Sequence, residues 1–198
     1  MKKFEEKKFN IGELKGISEA NINEHLKLYS GYVKHANVIL EKIDFFSKDI
    51  EKNAFVLNEM QRRFSFEFNG MRNHEIFFDL LAGGPNKISD NGNLKKKISE
   101  RWGSFENWLS LFKQIAKTRG IGWAVLYYDK ESDELMNGWI DQQHLGQLNA
   151  VTPILMIDMW EHSFVSDYQP SGKANYIDDF FINLNWAKVE ENYEKAIK

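Results

Sequence analysis

Ile154-Leu155-Met156-Ile157-Asp158-Met159-Trp160-Glu161-His162-Ser163-Phe164 runs from an unbroken apolar stretch into an acid and an imidazole four residues apart. Residues 153–157 have the continuous apolar character of a fully buried strand, and Asp158 stands at its end, where a helix could begin. On a helix, positions four apart share a face, so the Asp158 carboxylate and a ring nitrogen of His162 can converge on one small target. A metal ion is the obvious candidate. By spacing alone the same pair also describes a surface hydrogen bond or a structural pair, so a metal site requires other histidines to join it.

Upstream of that strand, Gly122-Trp123-Ala124-Val125-Leu126-Tyr127-Tyr128 and Leu135-Met136-Asn137-Gly138-Trp139-Ile140 flank the polar turn Lys130-Glu131-Ser132-Asp133 and read as a β-hairpin. Before the hairpin, 94–102 and 105–118 read as helices separated by Gly103, with Ser104 as N-cap and Trp108 and Phe112 facing inward. Helices over about 176–184 and from 186 close the chain. The first half is different in kind. Ser18 is a plausible N-cap for a helix over about 19–47, in which Ile22, Leu26, Tyr29, Val33, Ile39 and Ile43 recur at helical intervals. A second helix over about 50–81 pairs antiparallel with it. Asn69-Gly70 interrupts that helix near His74; glycine costs a helix roughly 1 kcal/mol against alanine, which points to a packing or site requirement.

Gly83-Gly84-Pro85-Asn86 and Ser89-Asp90-Asn91-Gly92 break the pattern and place a domain boundary near residue 88. The expected fold is therefore α+β: an N-terminal antiparallel helical hairpin domain over 1–88, then a C-terminal domain over 89–198 with a three-stranded antiparallel sheet and helices.

Composition limits the chemistry. At 198 residues the chain can bury a sizeable core without disulfides. It has no cysteine, which excludes thiolate sites, iron–sulfur clusters and thiol catalysis and leaves His, Asp and Glu as ligands suited to Mn, Fe or Zn. The 26 basic and 29 acidic residues, net −3, are spread along the chain, which argues against a nucleic-acid partner. Met1-Lys2-Lys3-Phe4-Glu5-Glu6-Lys7-Lys8 alternates charges where a secretory signal needs an apolar core, and no later run is long enough to cross a bilayer, so a cytoplasmic protein without membrane contact is expected.

Of the five histidines, four occupy positions that could serve one site: His25 and His74 on the paired helices, His144 after the hairpin, and His162 beside Asp158. His35 lies ten residues beyond His25, nearly three helical turns, and reads as a surface side chain. Taken singly, each of the other four is more often a hydrogen-bonded structural histidine than a ligand.

The wording of the segments goes further, and over nearly the entire chain it resembles the iron/manganese superoxide dismutase family. Asp158-Met159-Trp160-Glu161-His162 is similar to that family's D-x-W-E-H signature, and Asp167-Tyr168-Gln169, Tyr176-Ile177 and Asn185-Trp186 follow at nearly its intervals. Upstream, Phe68-Asn69-Gly70-Met71-Arg72-Asn73-His74 looks like its second-helix motif, and Asn93-Leu94, Phe105-Glu106 and Gly122-Trp123 match further blocks. The resemblance implies His25, His74, Asp158 and His162 as ligands of one Fe or Mn ion per subunit, with a solvent molecule as fifth ligand. It implies disproportionation of superoxide to dioxygen and hydrogen peroxide as the activity. It also implies a homodimer, or a dimer-based tetramer, with Glu161 reaching toward His162 of the partner subunit.

Family members place a hydrogen-bonding glutamine or histidine against the metal-bound solvent, either from four residues before the second-helix ligand or from the sheet domain. The former position is Gly70 here, so the partner is expected from the sheet domain, with His144 favoured and Gln142 and Gln143 as alternatives. Trp123 and Trp160 are expected to wall the site. Three departures stand out. The family's H-x-x-x-H-H-x-x-Y-V on the first helix is here His25-Leu26-Lys27-Leu28-Tyr29-Ser30-Gly31-Tyr32-Val33, one residue shorter, so that Tyr29 or Tyr32 is expected at the entrance. The tyrosine usually three residues after the last ligand is Val165, and of an Arg-rich stretch near Pro170-Ser171-Gly172-Lys173 only Lys173 remains as a cation. The alternative reading is a metal-binding or interaction protein that keeps this scaffold with lost or altered turnover.

Overall fold

Ser18 accepts a hydrogen bond from the Asn21 amide at 3.1 Å and starts α1, Glu19–Phe46. In the computed structural model, which describes residues 2–198, a 3-10 turn at Ser47–Asp49 reverses the chain into α2, Ile50–Leu81. The Asp49 carboxylate caps α2 through the Lys52 amide. This is the expected helical hairpin. Residues 2–17 form no regular element and are tied to the hairpin by reciprocal bonds between Phe4 and Asn37 and by the Lys7 amide donating to the Tyr29 hydroxyl at 2.8 Å.

The second half contains α3 (Asn93–Trp102) and α4 (Phe105–Ala116), with Gly103 between them at φ 81° and Ser104 capping α4 through Asn107. Strands β1 (Gly122–Asp129), β2 (Glu134–Asp141) and β3 (Thr152–Asp158) follow and form one antiparallel sheet in the order β2-β1-β3. Pro153 cannot donate to a ladder and sits on the edge strand β3, where that is tolerated, beside the register shift opposite Tyr127. Helices α5 (Val165–Tyr168), α6 (Lys173–Asn183) and α7 (Trp186–Ala196) complete the chain. The short α5 and the 3-10 turn at Pro170–Gly172 fall in a stretch whose period gives no signal for either.

The proposed boundary near residue 88 falls in the link between α2 and α3, and that link is pinned. Asn185 donates from its side chain to the Ala82 carbonyl at 2.8 Å and from its backbone to Leu80. One continuous cluster of buried side chains spans both halves, from Tyr29 and Phe78 through Trp123 to Phe180, and Phe77 of α2 stacks on Phe180 of α6 at 5.7 Å. No helix among the described residues is long and apolar enough to cross a membrane.

Gly122 fixes how closely β1 and β2 approach, because a Cβ there would lie 2.0 Å from the Ile140 carbonyl oxygen. Backbone cannot yield as a side-chain tip can. Gly122→Ala should therefore lower unfolding stability by about 2–4 kcal/mol, read as a shifted urea midpoint; an unchanged midpoint would show that the strands part at no cost.

Candidate metal centre

Four elements deliver one ionisable side chain each. His25 projects from α1 two turns after its cap and His74 from α2, their rings 5.0 Å apart edge to face. Asp158 ends β3 opposite Trp123, and His162 lies in a 3-10 turn, Glu161–Ser163. Asp158 and His162 therefore do not share one helix, contrary to the spacing argument. The strand ends in a turn closed onto Asp158 itself: the Trp160 amide donates to Asp158 Oδ1 at 2.8 Å and the Ser163 hydroxyl donates to the Asp158 carbonyl at 2.9 Å. Those bonds compete with helical pairing and bring His162 back toward the carboxylate.

Asp158 Oδ2 is the focus. His25 Nε2 lies 3.1 Å from it, His162 Nε2 3.2 Å and His74 Nε2 3.5 Å, and the four donor atoms lie within 4.8 Å of one another. His25, His74 and Asp158 are buried, and His162 is half-buried. His74 Nδ1 is 2.6 Å from the Gly70 carbonyl; a carbonyl only accepts, so Nδ1 carries the proton and Nε2 presents a lone pair. That buried Nε2 has no hydrogen-bond partner. A lone pair aimed at a carboxylate in a dry interior is unfavourable unless a cation stands between them, so the donor set fits a bound metal ion of the kind that accepts imidazole nitrogen and carboxylate oxygen together.

The electrostatics agree. Burial pushes His74 down to about 3 and His25 below the ordinary imidazole range, which keeps both rings neutral and able to ligate. Burial pushes the Asp158 carboxyl up, but the electrostatic pull of His162 and the hydrogen bonds of His162 and His25 outweigh it and hold Asp158 below the usual carboxylate range.

Around this cluster the side chains fall differently from the expectation favoured above. Gln143, fully buried, accepts from Trp123 Nε1 at 3.0 Å and donates to the Tyr32 hydroxyl at 2.9 Å. Trp123 and Tyr32 each lie 5.0 Å from the His74 ring, so the amide is held beside the centre. His144 faces elsewhere, with its ring against Phe66 at 5.7 Å. Gln142 is exposed with φ 53°, and only its backbone takes part, accepting from Trp160 Nε1 at 3.1 Å. The left-handed residue at 142 turns the loop so that the next side chain, not the one after, points inward. Trp160 stacks on His162 at 5.7 Å.

Of the two tyrosines expected at the entrance, Tyr32 is half-buried beside the site. Tyr29 is not at the entrance: it is buried against Phe9 and Phe78, and its hydroxyl faces Glu75 and Lys7. Sequence reasoning missed Asn73, which donates to the Gln143 carbonyl at 3.0 Å and holds the loop to α2; its only signal was adjacency to His74. His35 is exposed, as its spacing from His25 suggested.

Comparison with known proteins gives the same direction. Residues 90–192 match the model of the C-terminal domain of iron/manganese superoxide dismutases. A protein named superoxide dismutase [Fe] from Tetrahymena pyriformis is 34% identical over 88% of this chain and 90% of its own length. One named superoxide dismutase [Mn] from Nocardia asteroides is 33% identical over 96% and 91% respectively. One named superoxide dismutase [Mn/Fe] from Aeropyrum pernix is 32% identical over 91% and 84%.

The buried neutral imidazoles make the metal-free protein acid-sensitive. Below pH 6.5 the unfolded chain protonates His74 while the folded chain does not until about 3, so the unfolded state binds more protons and stability drops as the pH is lowered, by up to about 1.4 kcal/mol per unit for each such group. Melting temperatures of the metal-free protein should fall from pH 7 to pH 5, and His74→Gln, which cannot take up that proton, should show a shallower dependence. Equal slopes would contradict the neutral burial of His74.

Proposed function

The chain belongs to the iron/manganese superoxide dismutase family and disproportionates superoxide to dioxygen and hydrogen peroxide; from that premise we propose that His25, His74, Asp158 and His162 hold one iron or manganese ion per subunit. The observation that carries the assignment is the convergence of three imidazole Nε2 atoms on one oxygen of a buried carboxylate, at 3.1 to 3.5 Å. Bound there, the ion supplies the alternation between +2 and +3 states by which one superoxide is oxidised to dioxygen and a second, with two protons, is reduced to peroxide. Neutral imidazoles tolerate the lower state and the carboxylate favours the higher one.

The surrounding residues orient, exclude water and hold protons. Trp123 can only donate from its indole nitrogen, so the Gln143 amide must turn its oxygen toward Trp123 and its NH2 toward Tyr32. Tyr32 accepts that bond and keeps its own O–H for donation to an incoming anion. Burial and the Asp158 and Glu67 carboxylates push the Tyr32 phenol up, so it stays protonated at neutral pH and can serve as a hydrogen-bond donor there. Gln143 takes the role first expected of His144, and Trp123 and Trp160 close the site to bulk water.

Assembly follows the same reading. Glu161 is exposed in the isolated subunit, beside a cavity lined by Asn21, Glu24, His162 and Val165. We assign that face to a partner subunit in a homodimer, with Glu161 reaching toward His162 of the partner subunit. Residues 1–88 and 89–198 then act as two domains that contribute two ligands each to one site. Relatives are named for iron, for manganese and for both, and a donor set of three nitrogens and one carboxylate oxygen suits either ion.

His74→Ala should abolish superoxide-dependent turnover and lower iron or manganese content while the helical signal persists. Full activity with parental metal content would remove His74 from the site, and bound metal without turnover in the parent would favour a scaffold that has lost the reaction. Gln143→Ala should keep most of its metal but lose turnover about 10- to 100-fold and shift the reduction potential, whereas His144→Ala should behave like the parent. The reverse pattern would return the role to His144.

A further inference from the structure

Tyr32, Phe66, His144 and Trp160 are half-buried and form a rim beside the buried donor set, with Tyr32 against His74 and Trp160 against His162. Phe66 ties them together, with ring centres 6.1 Å from Tyr32, 5.7 Å from His144 and 6.5 Å from Trp160. The other approach, along Glu161 and His162, is the face assigned above to a partner subunit. A chain of net charge −3 repels a small anion at long range, so a local cation at the open rim matters more than it would on a basic protein.

The cation suggested by the resemblance does not serve. Lys173 donates to the Thr118 carbonyl at 2.7 Å and lies near the Trp139 ring, committed to the turn before β1. Arg63 on α2 occupies the rim instead. Its guanidinium carbon is 3.9 Å from the centre of the Phe66 ring, and its Nε and Nη2 both donate to Glu67 Oε1, at 3.0 and 2.7 Å. The Arg63 side chain is 49% exposed and that of Glu67 only 7%. The pair is therefore a dipole with its positive end toward solvent and its negative end in the hairpin.

We propose that Arg63, held on Phe66 by the buried Glu67 carboxylate, is the cation that guides superoxide through the rim to Tyr32 and the site beneath it. The inference rests on the active-site reading above and adds the residue that recruits its substrate. A guanidinium suits the task because Glu67 and the Phe66 face fix its plane while leaving Nη1 free to meet an anion. Its charge reaches the neighbouring groups: it opposes the upward push on the Tyr32 phenol, and with Arg62 it adds to burial in lowering His144. Arg62 itself is far more exposed and paired with Glu59, where solvent screens it.

The test compares Arg63→Gln, Arg63→Lys and Lys130→Gln in the metal-loaded protein. Lys130 is exposed in the β1–β2 turn, roughly 20 Å along the strand from Trp123. Its replacement makes the same change in net charge, from −3 to −4, without touching the rim. Arg63→Gln should lower kcat/KM for superoxide at low ionic strength about two- to threefold, leave kcat unchanged, and flatten the decline of kcat/KM with salt. Binding of azide, a monoanion followed optically, should weaken by a similar ratio with the same loss of salt dependence. Arg63→Lys, which keeps the charge and loses the fork, should retain most of the parental salt slope. An active parent whose Arg63→Gln variant keeps its salt slope and azide affinity, or whose Lys130→Gln variant changes as much, overturns the role of Arg63 alone. A metal-loaded parent without turnover overturns both this role and the reading it rests on.

Discussion

The structure is organised around a carboxylate with no access to water. Asp158 is fully buried, and an ionised carboxylate in an apolar interior is tolerated only when its charge is matched. The fold meets that constraint from three directions: α1 supplies His25, α2 supplies His74, and the turn after β3 supplies His162, all aimed at Oδ2. The remaining acceptor, Oδ1, is taken by the Trp160 amide. The neutral rings of His25 and His74 cannot neutralise the carboxylate, and His74 presents a lone pair toward it. A cation would complete the balance, and the long helical hairpin and the sheet are brought together where one can be held.

How far this could be read in the sequence depended on whether the signal was local. The helices announced themselves through caps and period: Ser18 and Ser104 cap where their patterns begin, and α2 has the bounds its period gives. The three strands were legible because β1 is buried along nearly its whole length and β3 is apolar without alternation. The turn from Asp158 to His162 was not, because the i, i+4 spacing of a helix is also the spacing of a strand end followed by a 3-10 turn. Only the bonds from Trp160 and Ser163 to Asp158 decide between them. The choice among Gln142, Gln143 and His144 was not legible for a related reason. A positive φ at Gln142 rotates the loop by one side chain, and glutamine gives no warning of it, unlike glycine or asparagine.

The first helix shows where resemblance to a family stops being a guide to geometry. Tyr29 lies one turn beyond His25, and the altered first-helix motif of the family put it or Tyr32 at the entrance. Its hydroxyl instead accepts from Lys7 and approaches Glu75, a buried carboxylate matched by Lys7 at 2.8 Å and Arg72 at 2.7 Å. The amino-terminal segment thus supplies the partner that Tyr29 and Glu75 require. Burial raises the Tyr29 phenol to about 12, so it remains a neutral hydrogen-bonding group in this network. The departure at position 29 belongs to the way the amino-terminal segment docks on the hairpin, and the residues that face the centre from α1 are His25 and Tyr32.

Gly70 explains why the amide beside the centre comes from the sheet and not from α2. A Cβ at position 70 would lie 2.5 Å from Tyr32 Cδ1 and 2.7 Å from Cε1, inside contact distance, so any side chain there must push the Tyr32 ring away. That ring is placed by the bond from Gln143 and by its approach to His74. The same residue, through its carbonyl, fixes which nitrogen of His74 carries the proton. With no side chain at 70, Tyr32 settles into the space and a group from the far side must reach its hydroxyl; Gln143 does so, anchored by Trp123 at its oxygen and by Asn73 at its backbone. The glycine that weakens α2 as a helix is therefore the condition for the close packing of Tyr32, His74 and Gln143, and an interruption that looked costly in the sequence is used by the site.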